Sequence, residues 1–271
     1  MANSPAKRHR SRILAAQEAK QAAGGELRAG GSQFERYMML LQEHRLRLKQ
    51  IQSGEAKGEY KRHALHEFAA YIDGVMSADA GGQDEVVTTV MLWAIDAGLY
   101  VPALSLAAYV IRHGLLMPDR FSRTTGCVVA EEIADAALLA QSTGLAFDSY
   151  VLSEALALTA EQDMPDEVRA KLHLALGRDV LRSATDEAPP TAWALEACVA
   201  SLKRAIELHS SCGGKKDLER AERLLKKQTA AEEAAAAAAT QAAAAKSETP
   251  SGDEEAKQAD TTEGAKGQAS G

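Results

Sequence analysis

Apolar residues recur every three or four positions through most of the chain, the spacing of one buried face on an α-helix. Phe34, Tyr37, Met38, Leu41, Leu48 and Ile51 fall on one stripe of residues 32–52. Ser32 is placed as its N-cap with Glu35 three residues on, the pattern of a capping box. Leu65, Phe68, Ala69, Ile72 and Met76 predict a second amphipathic helix over about 60–77. The polar run GEAKGEYKR at 54–62 connects the two, so an antiparallel hairpin is expected. From residue 84 the pattern becomes paired helices. DEVVTTVMLWAIDAG and YVPALSLAAYVIRHG meet at Gly98, and further helices are predicted near 128–142 and 148–160. The helix in DMPDEVRAKLHLALGRDVLRS is expected to open with Asp163 or Asp166 as cap and Pro165 in the first turn. A last pair turns around Cys212-Gly213-Gly214, with Leu195, Leu202, Ala205 and Ile206 as its stripe. The Gly–aromatic–Ala–Leu spacing of GLYVPAL is that of tetratricopeptide helix pairs. Valine–isoleucine–threonine alternation is almost absent, which argues against a sizeable sheet. The fold class expected is all-α.

Composition adds one qualification. Hydrophobic residues make up 46% of the 271, but aromatics only 4%, and much of the rest is alanine. Alanine forms helices well and fills cores poorly, so the helices must pack closely. Residues 230–245 are nearly all alanine and suit an extension of the last helix. The stretch from Ser247 onward lacks aromatics and large aliphatics and is expected to be disordered. Four regions follow: a basic flexible arm at 1–31, holding at most a short helix before Gly24-Gly25, a helical hairpin at 32–80, a repeat-like helical body at 81–228, and an Ala-rich acidic tail at 229–271.

Charge divides along the same boundaries. The chain carries net charge −7, yet residues 1–63 carry +7, residues 64–227 carry −9 and the remainder −5. The front can meet a polyanion; the rest cannot on charge alone. Lys7, Arg8, His9, Arg10 and Arg12 crowd the start, and Arg45, Arg47, Lys49, Lys57, Lys61 and Arg62 cluster at the turn of the hairpin. A solvated tail would look the same as a phosphate-contacting arm, and spacing alone does not separate residues that read bases from those that hold phosphates. Phe34, Leu41 and Leu48 lie a heptad apart, with Tyr37, His44 and Ile51 as companions. Together with Met38 they are the candidates for packing between helices or subunits.

Catalytic chemistry is poorly represented. No P-loop, GxSxG or HExxH motif occurs. Cys127, Cys198 and Cys212 are odd in number and widely spaced, which suits a reducing compartment better than disulfides or zinc. No apolar run is long enough to span a membrane. Neither a metal nor a cofactor is expected. The nearest approach to a nuclease centre is Asp163, Asp166, Glu167 and Lys171, which read equally well as an acid-rich helix start. His63 and His66 lie i, i+3 without a third ligand in view. Trp93 and Trp193 are assigned to the core.

Several stretches in order resemble the GpM-like small terminase subunits of tailed, cohesive-end bacteriophages: SPAKRH at 4–9, TVMLWAIDAGLYVPAL at 89–104, YVIRHGLLMP at 109–118, AEEIADAAL at 130–138 and DMPDEVRAKLH at 163–173. The resemblance implies a homo-oligomer, often a ring, that binds the cohesive-end region of double-stranded phage DNA. It implies delivery of that DNA to a large subunit carrying the ATPase and nuclease, in the host bacterial cytoplasm. Family members are often labelled terminase endonuclease subunits, so cutting by the chain itself stays an alternative, as does a protein-only helical adaptor. Relatives often end in a basic tail; this one is acidic, which puts DNA contact by the C-terminus in doubt.

Overall fold

The computed structural model describes residues 4–25, 32–118, 123–184 and 189–247. Ten helices and no strand occur among them, so the protein is all-α. They are α1 Pro5–Ala23, α2 Gln33–Gln50, α3 Gly54–Ala78, α4 Glu85–Asp96, α5 Tyr100–Arg112, α6 Thr125–Ser142, α7 Ser149–Leu158, α8 Asp166–Ser183, α9 Ala192–Leu208 and α10 Lys215–Ser247. One compact unit comprises Met1–Gln228; a second comprises Thr229–Gly271. In the second unit α10 continues to Ser247, as the alanine run predicts, and the segment expected to be disordered lies almost wholly outside the described residues.

Local chemistry sets most boundaries. Ser32, Ser53, Asp84, Thr124, Asp148 and Thr191 each accept a backbone N–H in the first turn of the helix they precede. Gly98 takes φ +72°, a left-handed conformation that lets α4 turn directly into α5. Three starts differ from expectation. α3 begins at Gly54, because Ser53 caps Ala56, so the polar run 54–62 is its first turns. Gly58 within that run is required by close approach: a Cβ there would lie 3.2 Å from the Asp96 carbonyl oxygen. At α8 the cap position falls to Pro165, in extended conformation and without a side-chain cap bond, and Asp166 and Glu167 occupy the first turn.

The third difference is α1. The arm carries a helix of 19 residues, and it is packed rather than free-standing. Ala15 and Ala19 are buried against α3, where Gly74 admits the backbone of Arg12 and Gly82 admits Ala19–Ala23. Because residue numbers rise together along both helices at these contacts, α1 runs parallel to α3. Glu18 fastens α1 to α2, accepting the Gln33 N–H at 2.8 Å and the Phe34 N–H at 3.1 Å. Those are orphan donors of the first turn of α2, and a carboxylate there also favours the helix dipole. Glu18→Ala is expected to cost about 1–2 kcal/mol, read as a lower urea midpoint.

The hairpin pairs α2 with α3 antiparallel through aromatic contacts. Tyr37 meets Tyr71 at 4.6 Å between ring centroids and Phe68 at 5.9 Å, and His44 meets Tyr60 and Phe68. Trp93 of α4 closes the cluster edge-on to Phe68 and His44. The body continues this core through α4 to α8, and a second cluster joins α8, α9 and the start of α10 around Leu202 and Cys198. Gly177 lets Leu202 approach where a Cβ would collide at 2.5 Å. Burial pushes the Cys198 thiol up to about 11, so it stays an unreactive core group.

Candidate functional site

The basic residues of the front divide into two groups by position. Lys7, Arg8, His9, Arg10 and Arg12 occupy the first two turns of α1, all exposed. Ser4 caps the helix and Pro5 opens it. No acid occupies its first turn, so four cations sit at the positive end of the helix dipole. None of the four forms an ion pair with an acid among the described residues. A helix that gathers cations at the end where anions are favoured presents a strong field to a polyanion. Arg8, His9 and Arg12 line a shallow recess with Ala69, Ala70 and Asp73 of α3.

The hairpin turn holds the second group. Arg45, Lys49, Lys57 and Lys61 converge on one recess between α2, α3 and α4, lined also by Gln42, Leu48 and Trp93. Arg45 Nη2 donates to Glu85 at 2.7 Å and to Thr89 at 3.0 Å. Lys61 pairs with Asp96. Lys49 and Lys57 have no acid partner among the described residues. The other two candidates turn elsewhere: Arg47 pairs with Glu43 on its own helix, and Arg62 pairs with Glu59 at 2.5 Å while donating to the Ala97 carbonyl at 2.6 Å. Thus six cations close in sequence resolve into four lining a recess and two neutralised beside it.

The parallel course of α1 and α3 relates the two groups. Both N-termini point toward the α2–α3 turn. Arg8 lies level with Ala69 and Ala70, eight residues from Lys61, which is about 12 Å along the helix axis. One end of the three-helix unit therefore carries both.

The heptad candidates are largely used within the chain. Tyr37 and Leu41 are buried in its own core, and Phe34, Met38 and Leu48 are half-buried against it. The outward positions of α2 are Met39 and Leu46. His44 is buried, its Nδ1 2.7 Å from the Tyr60 hydroxyl and its Nε2 3.5 Å from Glu67. Burial holds its pKa below the ordinary histidine value, outweighing the pull of Glu67, and burial does the same to His173 beside Arg204 and Arg169. An unfolded histidine titrates near 6.5, so below that pH the unfolded chain binds more protons than the folded one. Stability should be full above about pH 6.5 and fall as pH drops through the lowered folded values, by at most about 1.4 kcal/mol per pH unit for each histidine. His44→Gln should flatten its share, measured by thermal melts from pH 7.5 to 5.

The acid-rich start of α8 does not gather into a centre. Asp166 and Glu167 are exposed, and Glu167 lies 3.7 Å from His209. Lys171 turns to Asp135 at 2.9 Å and Glu131 at 3.8 Å on α6. Asp163 contributes its backbone carbonyl to Thr124. Among the described residues no group of three or more His, Cys, Asp or Glu side chains could hold a metal ion. His63 and His66 are both exposed. Trp93 is in the core as expected, but Trp193 is not: it is 77% exposed. It lies two residues before Leu195, about 200° around α9 from the buried stripe. Sequence reasoning passed over Gln42 and Trp93 as recess residues, because nothing in their spacing links α4 to the hairpin tip. It also passed over Glu18, which has no signal short of knowing that α1 folds back.

Comparison with known proteins gives two matches. The phage small terminase subunit family matches over residues 38–167. The terminase endonuclease subunit of Escherichia phage P2 is 40% identical over 223 residues, covering 82% of this chain and 86% of that relative. No solved structure matches the chain.

Proposed function

The chain belongs to the phage small terminase subunit family, whose role is in phage DNA packaging, and from that premise we propose that it is the DNA-recognition subunit. It binds the cohesive-end region of double-stranded phage DNA and delivers it to the large terminase subunit, as a homo-oligomer in the host cytoplasm. The observation that carries this is the location of two unneutralised cation groups, on α1 and at the α2–α3 turn, at one end of a chain that is acidic elsewhere. Residues 1–31 and 32–80 make the DNA contact. The acidic body at 81–228 presents a face to the large subunit, and the tail at 229–271 stays off the DNA. No helix among the described residues is long and apolar enough to cross a membrane. The test is a duplex carrying the cohesive-end region, titrated with the full chain at low salt. Binding that weakens linearly in log–log salt is expected; no binding at 50 mM salt overturns the proposal.

A second role is favoured by the printed name of the phage P2 relative, an endonuclease subunit. Cutting by this chain would have to use Asp163, Asp166, Glu167 and Lys171, yet Lys171 is drawn to α6. Purified chain with Mg²⁺ and duplex, without the large subunit, decides it. Cleavage abolished by Asp166→Ala and Glu167→Ala with binding retained would establish the enzyme.

A further inference from the structure

Resting on the DNA-binding role above, we infer that the recess over Trp93 is a discrete site for one phosphate group, supplied by the backbone of a nucleic-acid strand. Four cations from two helices enclose it, Arg45 and Lys49 from α2 and Lys57 and Lys61 from α3. Two of them are held in place from α4. Arg45 is fixed through one terminal nitrogen by Glu85 and Thr89, and Lys61 by Asp96. Their charges are balanced, and their positions are preset. Lys49 and Lys57 supply the uncompensated charge. Lys57 also sits in the first turns of α3, where the helix dipole adds to it. Buried Trp93 and half-buried Leu48 place low-dielectric material behind the cations, which strengthens their field toward an entering anion.

The chemistry of the lining selects the ligand. Gln42 is the one neutral polar side chain, and the indole is 3% exposed, so no ring face is available for a base to stack on. Cations without a stacking platform recognise a phosphate and ignore the base, so the site fixes position on DNA and carries no sequence information. Arg47 and Arg62 contrast with this group, since each is neutralised by an acid on its own helix.

The experiment uses the full chain with Trp193→Phe, which leaves Trp93 as the one indole. Its partner is the same chain with Lys49→Gln and Lys57→Gln, two changes that break no ion pair of the fold. Inorganic phosphate, titrated against matched chloride, should shift Trp93 emission saturably, and the double variant should lose the shift. With a 20-bp duplex of arbitrary sequence, the double variant should lower the log–log salt slope by about 0.9, an affinity loss of about eightfold at 0.1 M salt, equal for every sequence. An unchanged slope with no phosphate response overturns the site. A phosphate response with unchanged duplex binding overturns the backbone as its source. Duplex binding that survives in the double variant but not after neutralising α1 overturns the recess and leaves the DNA role standing. A phosphate response in a chain that binds no duplex overturns the DNA role instead.

Discussion

Replacing Lys7, Arg8, Arg10 and Arg12 together by glutamine should weaken duplex binding by up to about 4,000-fold at 0.1 M salt. Each phosphate contact releases counterions and contributes about 0.9 to the log–log salt slope, so four contacts contribute about 3.6. The four side chains are exposed and have no ion pair with an acid among the described residues, so no bond of the fold is lost with them. The change also removes four positive charges from the positive end of the α1 dipole, each unfavourable there by a few tenths of a kcal/mol. The melting temperature should therefore hold or rise while affinity falls. A lost affinity with a lost fold would indicate structural damage, and an unchanged slope would show that the arm does not touch phosphate. The measurement is fluorescence anisotropy of a labelled duplex between 50 and 300 mM salt, with a thermal melt alongside.

What the sequence made visible, and what it hid, follows from which interactions leave a periodic mark. The stripes through Leu41, Phe68 and Leu202 and the caps at Ser32 and Asp84 are local or periodic, and the helices they define are where the pattern places them. The docking of α1 leaves no such mark. It rests on Ala15 and Ala19 fitting against Gly74 and Gly82, residues whose contribution is closeness rather than apolar area. The heptad through Phe34 and Leu41 was legible, but a heptad does not say whether its partner belongs to the same chain; here α3 and α4 cover it. Trp193 looked like core because it is large and lies in an apolar helix, yet its angular position puts it outside. For the candidate site, charge counting located the cations. It could not separate Arg47 and Arg62, whose acids sit three and four residues away on the same helices, from Lys49 and Lys57, which have none.

Gly74→Val should release α1 and separate the two roles of the arm. A Cβ at position 74 would lie 2.3 Å from the Arg12 carbonyl oxygen and 2.8 Å from the Ala15 Cβ. The first is backbone and cannot swing aside, so the helix itself must move. Overpacking of this kind costs about 1–3 kcal/mol, and here undocking α1 relieves the strain. Undocking also withdraws Glu18 from the first turn of α2, adding the loss of that cap. The variant should show protease cleavage within residues 5–23 and faster amide exchange there, while the aromatic cluster of Tyr37, Phe68 and Trp93 keeps its near-ultraviolet signal. Duplex affinity should fall, but far less than after neutralisation, because a tethered basic segment still meets phosphate. Its salt slope should stay near the wild-type value, since the number of cations is unchanged. The difference between the two variants measures how much of the binding comes from holding the charge in place on α3, as distinct from the charge itself. Equal losses of slope in both would mean that the docked geometry is indispensable, and a wild-type affinity in Gly74→Val would mean that docking contributes nothing to DNA contact.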